Sequence, residues 1–156
     1  MFFIGIITNP KNEKYIKKNL SPILPEENII FINDKNIYNI KNIKFETIVV
    51  DCKIKNVVEL RKIISNAKYI ILNEDIKMNI EIINNLNLTV ITYGFNNKST
   101  FAVSSINENT IIICLQRIIL SKNNQPIEPQ EFQMEITENI ETYAIIATHI
   151  IKILYR

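Results

Sequence analysis

A chain of 156 residues with 47% apolar side chains is long enough to bury a core, and its net charge of +2 leaves no basic surface of the kind nucleic acids need. It carries two glycines, against the roughly eleven of an average chain this long. Gly5 and Gly94 stand far apart, so neither GxGxxG nor GxxxxGKS/T can be written anywhere, and phosphate loops of those types are excluded.

Phe2–Thr8 is a continuous apolar run ended by Asn9-Pro10, which predicts a strand buried on both faces, as in a parallel sheet. No charged segment precedes it and Lys11 follows too soon for a signal peptide, so the chain reads as cytoplasmic. Lys11–Leu20 predicts a helix, with Tyr15, Ile16 and Leu20 apolar and Lys11, Lys14, Lys17 and Lys18 on a solvated face. After turns at Ser21-Pro22 and Pro25, Asn28–Asn33 is a second strand. Asp34–Lys44 is polar and without period, a loop.

Phe45–Cys52 is a third strand, rich in β-branched residues. Asn56 and Glu59 are spaced as a capping box, opening a helix to about Ser65 with Val57, Leu60 and Ile64 on one face. Tyr69–Leu72 is a fourth strand. Asp75 is placed to cap a helix bearing Ile76, Ile80 and Ile83. Leu88–Tyr93 is a fifth strand, stopped by Gly94. The alternation predicts an α/β fold with a mostly parallel sheet of about five strands and flanking helices.

Beyond Gly94 the rhythm changes. Thr100–Ser105 and Thr110–Ile119 predict strands joined by a turn at Asn107-Glu108-Asn109. After a turn at Asn123–Pro126, Glu131–Ile136 is a further strand. Asn139–Tyr155 closes the chain as a helix, with Ile140, Tyr143, Ala144, Ala147, Ile150, Ile151 and Leu154 on its apolar half. The chain thus reads as one three-layer domain over residues 1–156: a parallel block (1–95), an antiparallel appendage (96–137) and a C-terminal helix (138–156). The run Thr110–Leu120 is too apolar for a strand with one wet face. It packs against a second copy, or lies between the sheet and the last helix.

Few residues point to chemistry. Cys52 and Cys114 are far apart, in no metal or redox spacing, and read as buried free thiols. His149, the one histidine, projects from the polar half of the last helix and reads as exposed and without a partner. Asp51 ends the third strand, and ligands of open α/β sheets bind beside such ends. Thr8-Asn9, Asn33-Asp34, Asn73-Glu74-Asp75 and Thr92-Tyr93 gather on the same rim. Asp51, Glu74 and Asp75 could hold a divalent cation there; equally, strand ends carry Asn and Asp for turns and caps. Gly94, in Tyr93-Gly94-Phe95, reads as a backbone conformation closed to other residues. No catalytic set and no metal site is signalled.

From about Ala67 onward three stretches carry a family likeness. Ile71-Leu72-Asn73-Glu74-Asp75, Val90-Ile91-Thr92-Tyr93-Gly94-Phe95 followed by Phe101-Ala102-Val103, and Phe132–Ile136 with Asn139 and the helix at Ala144–Ala147 come in the order found in the second half of the central, ATP-binding domain of Mur ligases, and the chain resembles that half. These are cytoplasmic ATP-dependent amino-acid ligases of peptidoglycan precursor synthesis. The family's glycine-rich phosphate loop is missing, and its glycine-histidine-asparagine signature reduces to Asn139. The resemblance therefore implies a stand-alone, non-catalytic relative of the ATPase fold, acting through a protein partner or a second copy. Asn73, Asp75 and Asn139 are the positions it assigns to any surviving nucleotide contact. No cofactor is required, and ATP or magnesium stays open as a ligand. The alternatives are a small-molecule enzyme using the strand-end carboxylates with a cation, or a self-associating structural domain.

Overall fold

The computed structural model of the chain describes residues 2–156, apart from the side chains of Met78 and Ile80. In chain order its elements are β1 (Phe3–Ile7), α1 (Glu13–Leu20), β2 (Ile29–Phe31), β3 (Phe45–Val50), α2 (Val57–Ile64), β4 (Tyr69–Asn73), α3 (Lys77–Glu81), β5 (Thr89–Gly94), β6 (Phe101–Ile106), β7 (Thr110–Leu115), β8 (Ile119–Leu120), β9 (Pro126–Ile127), β10 (Gln130–Glu135) and α4 (Thr142–Leu154). Eight strands form one sheet in the order β10-β7-β6-β5-β4-β3-β1-β2, and β8 pairs with β9 in a small antiparallel ribbon. The fold is α/β with a mostly parallel central sheet.

β2, β1, β3, β4, β5 and β6 pair in parallel, one strand more than the apolar runs predict. β6 joins only at its start, where Tyr93 faces Phe101 and Gly94 faces Ala102, and then runs on past the end of β5. The change to antiparallel pairing falls at the β6–β7 hairpin rather than at Gly94, and the expected antiparallel strands β7 and β10 continue the main sheet beyond β6.

The central strands are apolar on both faces because helices cover both. On one face Ile4, Ile6, Val49, Ile71 and Ile91 meet Ile16 and Leu20 of α1 and the broad apolar side of α4. On the other, Ile48, Val50, Ile70 and Leu72 meet Leu60, Ile63 and Ile64 of α2. Ile37 and Ile40 join this second layer, fully or almost fully buried. They come from the stretch read as a plain loop, which folds as a tight helical turn at Ile37–Asn39. Gly5 lets this layer close on β1: an added Cβ there would lie 3.1 Å from the Phe45 ring.

Three local expectations are corrected. Asn56 makes no capping bond; Asp34 instead accepts the Lys55 and Asn56 amides at 3.0 and 2.9 Å, and Glu59 pairs with Lys41 and Lys62. The run Thr110–Ile119 is two strands. Gln116 and Arg117 donate to the carbonyls of Asn97, Ser99 and Lys98, which breaks the run after Leu115. Ile111, Ile113 and Leu115 then face α4, while Ile112 and Cys114 are half-buried on the opposite side. Both cysteines are free and half-buried rather than buried. Among the described residues no helix is long and apolar enough to cross a membrane.

The helix α4 touches α1, β4, β5 and β10, so it spans both halves of the sheet. Ile146 at its centre is fully buried. Ile146→Ala is expected to destabilise the fold by about 2–5 kcal/mol through lost burial and a residual cavity. In urea the midpoint falls while the slope of the transition stays unchanged.

Candidate functional site at the strand-end rim

The sheet order turns at β1 and β3, and the ends of those strands are where open α/β sheets place ligands. At this point the Asp51 amide donates to the Ile7 carbonyl at 2.9 Å, which holds the two ends together. The rim above them is built from the β1–α1 turn, the ends of β3, β4 and β5, and the start of α4.

Asp51 is its centre and is 4% exposed. Thr8 Oγ1 donates to one carboxylate oxygen at 2.9 Å and the Tyr93 hydroxyl donates to the other. Burial raises the Asp51 pKa from 3.8 to about 6, against the pull of those two donors and helped by the negative charge of Glu141. The same burial, with Asp51 beside it, pushes the fully buried Tyr93 hydroxyl well above its ordinary range.

Asn73 brackets the neighbouring strand ends. Its Nδ2 donates to the Asp51 carbonyl at 3.2 Å and its Oδ1 accepts the Asp75 amide at 3.1 Å. Asn79, from α3, donates to the Asn73 carbonyl at 3.0 Å. Asp75 does not cap α3, whose N-cap is Ile76. Its carboxylate accepts the Phe95 amide and the Tyr143 hydroxyl, both at 2.8 Å. Burial and that contact raise the Tyr143 pKa to about 12. The carboxylate lies flat against Gly94, where an added Cβ would stand 2.7 Å from it. Gly94 has φ +154°, so both the space and the backbone favour glycine.

The first turn and the last helix meet at Glu141. Asn9 Nδ2 donates to its carboxylate at 2.6 Å, Asn12 Nδ2 at 3.4 Å, and the Lys11 ammonium stands 3.3 Å away. In return the Glu141 amide donates to Asn12 Oδ1 at 3.2 Å. Burial opposes its charge, but these donors outweigh burial and hold the carboxyl below its ordinary pKa.

The structure thus brings together Asp51, Asn73, Asp75 and Gly94. It leaves Asn139 out: that residue is exposed, with φ +64°, and forms the turn before α4. Asn12, Asn79, Glu141 and Tyr143 are rim residues without a local sequence signal. Asn33-Asp34 belongs to the start of α2 instead. Glu74 turns to Ser99 Oγ at 2.6 Å, so Asp51, Glu74 and Asp75 each face a different partner. Among the described residues no group of three or more His, Cys, Asp or Glu is placed to hold a metal ion. Chemically, the rim is a proton-storing carboxyl enclosed by its own hydrogen bonds. No protein-family model matches the chain, and no curated protein matches it either.

Two outcomes follow. Between about pH 4 and pH 6 the native state holds a proton on Asp51 that the unfolded state has released, so the group's contribution to stability falls as pH rises through that window. The stability of the wild type relative to Asp51→Asn is therefore expected to decline from pH 4 to pH 6.5 by roughly 2 kcal/mol, the larger part of what the displaced pKa gives at about 1.4 kcal/mol per unit. Parallel curves for the two proteins would contradict the assignment. Separately, Gly94→Ala is expected to cost more in the wild type than in an Asp75→Ala background, since the carboxylate in its way is then gone. A double-mutant cycle in denaturant measures the difference.

Proposed function

We propose that the chain is a non-catalytic α/β binding module, a relative of the Mur ligase ATPase fold whose phosphate position is taken by its own Glu141. The observation that carries this reading is the β1–α1 turn. Nucleotide-binding α/β folds lead from a strand through a glycine-rich turn into a helix whose free amides receive phosphate. Here the turn is Thr8-Asn9-Pro10-Lys11-Asn12, without glycine, and Pro10 has no amide hydrogen to offer. The donors that remain, Asn9, Lys11 and Asn12, all converge on the Glu141 carboxylate. A triphosphate would have to displace a bound anion that is part of the chain.

The family likeness rests on the sequence order of the stretches that form β4, β5, the β6–β7 hairpin, β10 and α4. The likeness in turn suggests a cytoplasmic role near peptidoglycan precursor synthesis, exerted through a protein partner or a second copy. A second reading, an enzyme with Asp51 as its proton-transfer group, has the raised pKa of that carboxyl in its favour. Against it, both Asp51 oxygens are engaged and a substrate would have to displace Thr8 or Tyr93 to reach them.

Isothermal titration of the protein with ATP and magnesium tests the first reading. No saturable heat and no phosphate release are expected. Micromolar binding of ATP with magnesium, or its hydrolysis, would overturn the reading.

A further inference from the structure

A groove of about 400 Å³ lies away from the rim, between α1, α4 and the end of β10. Its size falls within the range of small-molecule sites. α1 contributes Tyr15, Lys18 and Asn19, spaced three and four residues apart on one face. α4 contributes His149 and Lys152, and β10 contributes Glu135. The side of α4 that reads in sequence as facing water thus faces this groove. His149 is half-buried, its ring edge-on to Phe132 at a centroid distance of 5.6 Å.

Two features of the lining are unfulfilled. Among the described residues, His149 Nε2 is buried without a hydrogen-bond partner. Lys18 and Lys152 take part in none of the ion pairs found among the described residues; the Lys152 ammonium reaches only as far as Asn19 Oδ1, at 3.5 Å. With Arg156 also acting on His149 and Lys152, positive charge outweighs the single carboxylate of Glu135. We propose that this groove binds a small oxyanion, the phosphate or carboxylate group of a soluble metabolite, held between Lys18 and Lys152 with His149 at its inner wall. One anion would give the two ammonium groups a counter-charge and set negative charge beside the imidazole.

Burial first, and then Lys152 and Arg156, lower the His149 pKa from 6.5 to about 4. The other titratable groups facing the groove are Lys18 and Tyr15 on α1 and Glu135 on β10. A bound oxyanion would reverse the local field and draw a proton onto the ring.

Since the chain has one histidine, its imidazole C–H resonances report this site alone. Proton NMR titrations are run on the full chain in chloride, and in inorganic phosphate, sulfate and acetate at matched ionic strength. Phosphate and sulfate are expected to raise the His149 midpoint by about one pH unit, a tenfold gain in proton affinity. The same rise with acetate extends the ligand class to carboxylates; its absence restricts the class to phosphate-like ions. Lys152→Met and, independently, the exposed Lys18→Met are each expected to abolish most of the rise, while Lys14→Met, outside the groove, preserves it. A midpoint that does not move with phosphate or sulfate, that moves equally in chloride, or that moves undiminished in both groove variants overturns the proposal.

Discussion

The carboxylate of Glu141 joins the two ends of the chain. Its partners, Asn9 and Asn12, lie 132 and 129 residues earlier, and the exchange of bonds with Asn12 runs in both directions. That pairing sets where α4 starts, and α4 then lies along α1 and across β4, β5 and β10. Tyr143, two residues on, reaches Asp75; Asp75 packs on Gly94; Tyr93, beside Gly94, closes over Asp51. The rim is therefore one connected set of polar contacts, and the first helical turn of α4 is its keystone.

The parallel block was legible because its strands are buried on both faces, which writes an uninterrupted apolar run into the sequence. Phe3–Ile7, and β4 up to its closing Asn73, are of this kind. Local signals misled where a distant group supplied the bond. Asp34, from another segment, holds the Lys55 and Asn56 amides just ahead of α2, and the Asn56–Glu59 spacing forms no capping box. Asp75 stands where a cap would stand, yet two longer-range donors compete for it and win. His149 was misplaced for a related reason: a polar stripe on a helix records only that the stripe is not core, and a polar groove satisfies that as well as water does.

The candidate site was half legible. Asp51, Asn73, Asp75 and Tyr93 end strands, so their convergence follows from topology. Asn12, Asn79, Glu141 and Tyr143 sit on helices or turns with nothing local to mark them, and only packing brings them to the rim. The scarcity of glycine also had a narrower meaning than it first carries. Asn85, Asn124 and Asn139 all adopt positive φ, so this chain turns left-handed corners with asparagine. Glycine is kept for the two places where a side chain leaves no room for a Cβ.

The narrow join between β5 and β6 has a mechanical consequence. Backbone pairing there is confined to Tyr93 with Phe101 and Gly94 with Ala102, supplemented by the reciprocal bonds of Thr92 and Thr100. So short a hydrogen-bonded seam cannot by itself make two half-sheets melt as one body. Unity comes from the helix laid over the seam like a splint, and force applied across the sheet would be borne by side-chain packing rather than by the ladder.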